Sequence, residues 1–183
     1  MNYPGNVKKT YNKYTNYSNR GMDLEDLLNQ SNEYYLNEDI AVIYKKHTPI
    51  TISEVKYGAK ERVITKAYFR TPSTLDYNGI YKGKYIDFDA KETLNKTSFP
   101  LQNIHEHQLE HMNKIIDHGG ISFLIISINN EIYLLDGNII LNYIKSTNKK
   151  SIPYKYIQEN GILIEKKIKP RLDYIKAIDQ LYF

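Results

Sequence analysis

The sequence predicts an α/β protein built on one mixed sheet with helices on both faces. Three stretches carry that prediction. From Tyr85 to Lys91 the chain alternates, with Ile86, Phe88 and Ala90 apolar and Tyr85, Asp87, Asp89 and Lys91 polar, and a strand sends such alternating side chains to opposite faces. Ile121 to Ile128 is instead an almost continuous apolar run, the pattern of a central strand covered on both sides. Between them, Asn103 to His118 places Leu109, Met112, Ile115 and Ile116 on one side of a helix. A capping-box arrangement of Asn103 with Glu106 would start it, and Gly119-Gly120 would stop it.

The chain begins in a different style. Residues 1–20 hold Lys8, Lys9, Lys13 and Arg20 and no acid, a surplus of +4 that equals the net charge of the whole 183-residue chain. Tyr3, Tyr11, Tyr14 and Tyr17 are interleaved with these cations among Asn, Thr and Ser, with no apolar periodicity. Such a segment cannot bury enough surface to order itself, so a disordered basic N-terminal arm is expected there. Its cations suit phosphates and its rings suit unpaired bases.

Residues 21–183 are expected to fold. Met22 to Leu36 reads as a helix with Leu24, Leu27, Leu28 and Tyr35 on one side and Asp23, Glu25 and Asp26 in the first turn, where the helix dipole favours acids. Ile40 to Tyr44 reads as a buried strand. After Pro49, Ile50 to Tyr57 and Val63 to Phe69 read as two strands joined by a polar, mostly basic tip at Gly58-Ala-Lys-Glu-Arg62. Asn78-Gly79 and Lys82-Gly83-Lys84 read as turns that fold the chain back and bring Asp76 beside the alternating strand. Beyond the apolar run, Asn129-Asn130 turns the chain into a strand from Glu131 to Leu135. Short helices at Asn138 to Lys145 and Pro153 to Gln158, and a closing helix at Leu172 to Leu181, complete the reading.

Composition narrows the chemistry. With no cysteine, disulfides and thiolate metal sites are excluded, and a reducing cytoplasm is the expected location. No apolar run approaches the length of a membrane span, and no signal-like start is present, so no membrane contact is expected. There is no internal repeat and no Walker-type glycine loop. His107 and His111 have the i, i+4 spacing of helical zinc ligands, but the glutamate of that motif is out of register and no third ligand is evident. Polar surface or a DNA backbone contact is the expected role of these histidines.

The alternating strand carries more. Asp89 and Lys91 share one face, and a neighbouring segment can bring Asp76 to the same side. A hard divalent cation such as magnesium is held by one or two carboxylates, waters and substrate phosphate. A lysine beside it can orient the attacking water or balance charge growing on phosphorus. Asp followed at a distance by Asp-x-Lys is also the pattern of the PD-(D/E)xK nuclease superfamily. On spacing alone the ordinary reading, a solvated strand face, is the better one, and Asp87 on that face reads as a surface or supporting residue.

Longer motifs change the balance. Ala67-Tyr-Phe-Arg-Thr-Pro-Ser-Thr74, Asp76-Tyr-Asn-Gly79, Tyr81-Lys-Gly-Lys-Tyr-Ile-Asp-Phe88, Asn95-Lys-Thr-Ser-Phe-Pro-Leu101, Asn103-Ile-His-Glu-His-Gln108 and Pro170-Arg-Leu-Asp-Tyr174 resemble the RecU family of Holliday-junction resolvases over nearly all of the chain after the first twenty residues. The resemblance implies a restriction-endonuclease-like fold with a projecting β-hairpin stalk at about residues 50–69. It implies an endonuclease that resolves four-way DNA junctions by paired cuts in recombination and repair, as a homodimer, with Mg2+ or alternatively Mn2+. Thr74, Asp76, Asp89 and Gln108 would hold the metal, Gln108 through its amide oxygen, and Lys91 would stabilise the transition state. Lys8, Lys9, Lys13 and Arg20 of the arm, with Lys56, Lys60, Arg62, Lys66 and Arg70 in or beside the stalk, would contact DNA. A RecA-type recombinase and a branch-migration helicase are the implied protein partners. The family usually has glutamate where this chain has Asp89, though the superfamily pattern permits either. Two alternatives therefore stand beside the resolvase: a noncatalytic or weakly catalytic junction-binding modulator of the recombinase, and a general fork or flap nuclease.

Overall fold

The computed structural model describes residues 23–58, 61–70 and 74–183. Helix α1 (Leu24–Asn37) leads into strand β1 (Val42–Lys45), a hairpin of β2 (Ile50–Tyr57) and β3 (Arg62–Phe69), and then β4 (Tyr77–Tyr81) and β5 (Lys84–Glu92). A short strand β6 (Ser98–Pro100) and a 3-10 turn at Leu101–Asn103 precede helix α2 (Glu106–Asp117). Strands β7 (Ile121–Ile128) and β8 (Glu131–Asp136), helix α3 (Gly137–Ser146), strand β9 (Ser151–Pro153), helix α4 (Tyr154–Asn160), strand β10 (Ile162–Leu163) and helix α5 (Tyr174–Tyr182) follow. The predicted class holds: a six-stranded mixed sheet runs β1-β4-β5-β7-β8-β10, parallel only between β5 and β7.

Alternation along β5 and β7 divides the core in two. Ile86 and Phe88 of β5, with Ile121, Phe123 and Ile125 of β7, face α1 and α5 together with Leu28, Tyr35, Tyr174 and Ile178. Leu124 and Ile126 of β7 face the other way, onto Met112 of α2, Ile140 of α3 and Ile157 of α4. The continuous apolar run is thus explained by burial on both sides, as its composition indicated. Across the first face, Tyr77, Phe88 and Phe123 stack in register on three adjacent strands, with centroid separations of 4.8 and 4.7 Å. Such offset ring pairs add to the stabilisation from area burial alone.

Three sequence expectations are corrected. Strand β1 is an exposed edge rather than a buried strand: only Ile43 is buried, because α1 covers one of its faces and, among the described residues, no strand pairs with its outer side. Asn78-Gly79 is no turn but the middle of β4, and the reversal is made at Lys82 and Gly83, both at positive φ. The capping box of α2 is His105 with Gln108, not Asn103 with Glu106, because Leu101–Asn103 forms its own 3-10 turn and Ile104 is buried before the helix can start.

The β2–β3 hairpin stands apart from the sheet. Almost every residue in both strands is exposed, on both faces, and the pair forms a separate two-stranded sheet. At its root the Arg70 amide donates to the Pro49 carbonyl at 2.9 Å. The basic arm expected at residues 1–20, and Lys60 at the hairpin tip, lie outside the described residues.

Gly79 shows how tightly β1 is held. A Cβ there would lie 2.1 Å from the Val42 carbonyl oxygen and 2.7 Å from Ile43 Cα, both of them backbone. Gly79→Ala is therefore expected to lower unfolding free energy by about 3 kcal/mol, the upper end of what overpacking costs, measured by urea denaturation. A loss below about 1 kcal/mol would mean that β1 is free to shift.

Candidate active site

Strand β5 brings two aspartates to the face that α2 covers. Asp87 and Asp89 are both fully buried, where the sequence pattern alone suggested a solvated face with Asp87 at the surface. The reason is α2, whose Gln108 and His111, three residues apart, each meet one of them. Gln108 Nε2 donates to Asp89 Oδ2 at 2.5 Å, and His111 Nε2 lies 3.4 Å from Asp87 Oδ1. Each aspartate also has a lysine. Lys91 Nζ is 2.9 Å from Asp89 Oδ2, and Lys46 Nζ is 2.6 Å from Asp87 Oδ2.

The environment of Asp89 is nearly saturated. Its Oδ1 accepts the Ala90 amide at 2.8 Å, and its Oδ2 takes Lys91 and Gln108. Three donors occupy three of about four lone-pair positions on a carboxylate. Asp76 enters from the segment just before β4, near enough for the charge of Asp89 to act on it. Burial, and next the negative charge of Asp89, hold the Asp76 carboxyl above the usual carboxylate range, with Lys91 and then Lys45 opposing. A like charge this near disfavours the ionised form of Asp76.

That crowding is the test of fit for a metal. A divalent cation between the two carboxylates would offset their repulsion, and only two carboxylates are required when water and phosphate complete the shell. Among the described residues no cluster of three His, Cys, Asp or Glu side chains is arranged to hold a metal. A hard, oxygen-seeking cation held partly by substrate fits this donor set, and a zinc site does not. Thr74, two residues before Asp76, lines the same open cleft of about 270 Å3 with Lys45, Lys46, His47 and Thr48.

Not every sequence-derived role matches the geometry. Gln108 reaches Asp89 with its amide nitrogen, while its oxygen accepts the His105 amide at 3.1 Å as part of the helix cap. Its orientation is that of a support for Asp89 rather than of an oxygen donor to a cation. His111 is no surface group: its ring nitrogen is buried against Asp87. Lys46 and Tyr85, whose hydroxyl donates to Asp87 Oδ2 at 2.7 Å, were not singled out from the sequence. The alternation of Tyr85, Asp87 and Asp89 on one face was the available signal. On the hairpin, Lys56, Arg62 and Lys66 are exposed, with Lys66 3.8 Å from Glu54 and the Arg62 guanidinium 5.6 Å from the centre of the Tyr57 ring. Arg70 is exposed at the hairpin root.

Comparison with known proteins agrees with the motifs. A family model described as Recombination protein U matches residues 19–180. A Bacillus cereus AH820 protein named Holliday junction resolvase RecU is 52% identical over 181 residues, covering 96% of this chain and 90% of the relative. A protein of the same name from Bacillus cereus B4264 is 50% identical over 188 residues, covering 100% and 94%. A more distant likeness is to Archaeoglobus fulgidus Hjc, described as a Holliday junction resolvase, at 9% identity and a TM-score of 0.42 over 76% of this chain and 91% of that one. With about half of all residues shared over nearly the full length, and the family model reaching from before α1 into α5, the chain belongs to the RecU family.

Proposed function

We propose that the protein is a magnesium-dependent endonuclease that resolves four-way DNA junctions. One observation carries the reading: Asp76, Asp89 and Lys91 converge beside an open cleft, at the root of an exposed hairpin bearing Lys56, Arg62 and Lys66. The relatives' shared name, Holliday junction resolvase RecU, supplies the substrate class.

In this reading Asp76 and Asp89 hold the cation, Thr74 lies beside it, and Gln108 fixes the Asp89 carboxylate. The cation, when bound, supplies Lewis-acid polarisation of the scissile phosphate and acidifies a water. Lys91, charged and only partly exposed, is held 2.9 Å from Asp89, where its ammonium opposes charge developing on the phosphoryl oxygens. Water adds to phosphorus, the bond to the 3′ oxygen breaks, and the products are a 5′-phosphate and a 3′-hydroxyl. Asp89 is one methylene shorter than the glutamate usual in the family. The short arm suits its place, buried under α2 and within reach of both Lys91 and Gln108.

The working unit in this reading is a two-fold dimer. Resolution needs cuts on two opposed strands, and one site per chain must be doubled by a closed symmetric pair. The hairpin supports it. Ile52, Val63 and Ile64 are about half exposed, and an isolated two-stranded sheet is marginal in water until something covers a face.

Two outcomes follow. With a labelled synthetic four-way junction in magnesium, read on a denaturing gel, wild type should cut symmetrically. Asp76→Asn and Asp89→Asn should not cut, while still binding the junction in calcium. Lys91→Ala should slow cutting about 100-fold, as loss of one preorganised charge does. Cutting within tenfold of wild type by both asparagine variants would remove the pair as the metal site. Light scattering should give twice the 21.5 kDa chain mass. A monomer, free and junction-bound, that still makes both cuts would exclude the dimer.

A further inference from the structure

The hairpin is an insertion whose two legs meet at one residue. Chain leaves the sheet at the end of β1, passes out along β2, returns along β3, and re-enters the sheet at Asp76 and β4. Between the legs, the Lys46 amide donates to the Asp76 carbonyl at 2.7 Å. The side chain of the same residue reaches across to β5, where its ammonium lies 2.6 Å from Asp87 Oδ2. Lys46 therefore touches the outgoing leg, the incoming leg and the strand of the second catalytic aspartate.

Asp87 is the other half of the joint. It is fully buried, two residues from Asp89 on the same strand, and accepts from Tyr85 as well as Lys46 on its Oδ2. Among the described residues its Oδ1 has no hydrogen-bond partner; it faces His111 Nε2, which has none there either. The ammonium of Lys46 is thus, among the described residues, the lysine charge set directly on the buried Asp87 carboxylate, as Lys91 is on Asp89. Removing one partner of such a pair strands the other charge. Asp87 is fixed through β5 to Asp89, and Lys46 through its amide to Asp76, so this single contact spans the pair that the proposed chemistry requires.

We propose that Lys46 is a positioning residue that couples the placement of the hairpin to the separation of Asp76 and Asp89. Tilt of the hairpin on a bound junction is transmitted through the Lys46–Asp76 hydrogen bond, while the Lys46–Asp87 pair holds the fixed side of the hinge. Lys46 acts through Asp76 and Asp87 and does not touch the reacting phosphate. This inference rests on the junction-resolving function proposed above.

Lys46→Met keeps the amide and the stem and removes the ammonium; Lys46→Arg restores a cation. Two readouts are compared with wild type. In DNA-free protein, hydrogen exchange at residues 74–78 should rise about tenfold in Lys46→Met and return in Lys46→Arg, as local opening follows loss of a buried anchor. On a saturating four-way junction in magnesium, Lys46→Met should cut about 10–100-fold more slowly, the usual cost of losing a residue that orients ligands. Its junction affinity in calcium should stay within about threefold of wild type, and Lys46→Arg should recover most of the rate. Unchanged exchange with an unchanged rate would overturn the proposal. So would a fall in affinity that accounts for the whole fall in rate, since Lys46 would then be a phosphate contact. Should Lys46→Met fail to fold, Lys46→Gln, which keeps a neutral donor for Asp87, is read against the same outcomes. A wild type that neither binds nor cuts the junction would instead defeat the resolvase reading, and the DNA-free exchange would still decide the role of Lys46.

Discussion

Two buried carboxylates on one strand face set the terms for this structure. An ionised carboxylate cannot leave water without partners, and β5 buries both Asp87 and Asp89 completely. Each is answered by a lysine and by one side chain of α2, so the helix is bound to the sheet by polar contacts as well as by Met112. The arrangement is close to balanced at Asp87 and deliberately short of balance at Asp89, where Asp76 adds a further acid that Lys91 alone does not offset. A site with surplus buried negative charge and an open cleft beside it is suited to a cation brought together with phosphate.

Charge surplus also has a thermodynamic sign. Because the Asp76 carboxyl sits above its ordinary range in the folded protein, the fold binds that proton more tightly than the unfolded chain does. The metal-free fold therefore loses stability as pH rises from the ordinary carboxylate range through the raised value of Asp76, and the cost stays in place above it. A cation bound between the two carboxylates offsets this penalty. The rest of the core, with its Tyr77, Phe88 and Phe123 stack on the other face of β5, supplies the stability that tolerates the penalty.

Much of this was legible in the residues, for identifiable reasons. Alternation placed Asp89 and Lys91 together, and the apolar run marked β7 as covered on both faces, because side-chain period is a local property. The long motifs pointed to the family, to which the chain belongs. What sequence could not reach were properties set by distant chain. Nothing in Ile40 to Tyr44 marks β1 as an edge, since that depends on which strand arrives beside it. Asn78-Gly79 looks like a turn until one knows that Gly79 is crossed by the β1 backbone at a distance no side chain tolerates. Strands β6, β9 and β10 are three residues long or fewer and have no period to read. Lys46 is one lysine among many until the topology sets it between the hairpin legs.

The central claim is that Asp76 and Asp89 form one cation site and that Asp87, though equally acidic and nearby, does not belong to it. Anomalous diffraction from crystals soaked in manganese tests this most directly, because the scattering identifies the ion without reference to activity. The account predicts one strong peak bonded to carboxylate oxygens of both Asp76 and Asp89 at about 2.0–2.2 Å, with Asp87 still paired to Lys46. A peak on Asp87, or none at Asp76 and Asp89 at saturating manganese, would contradict it.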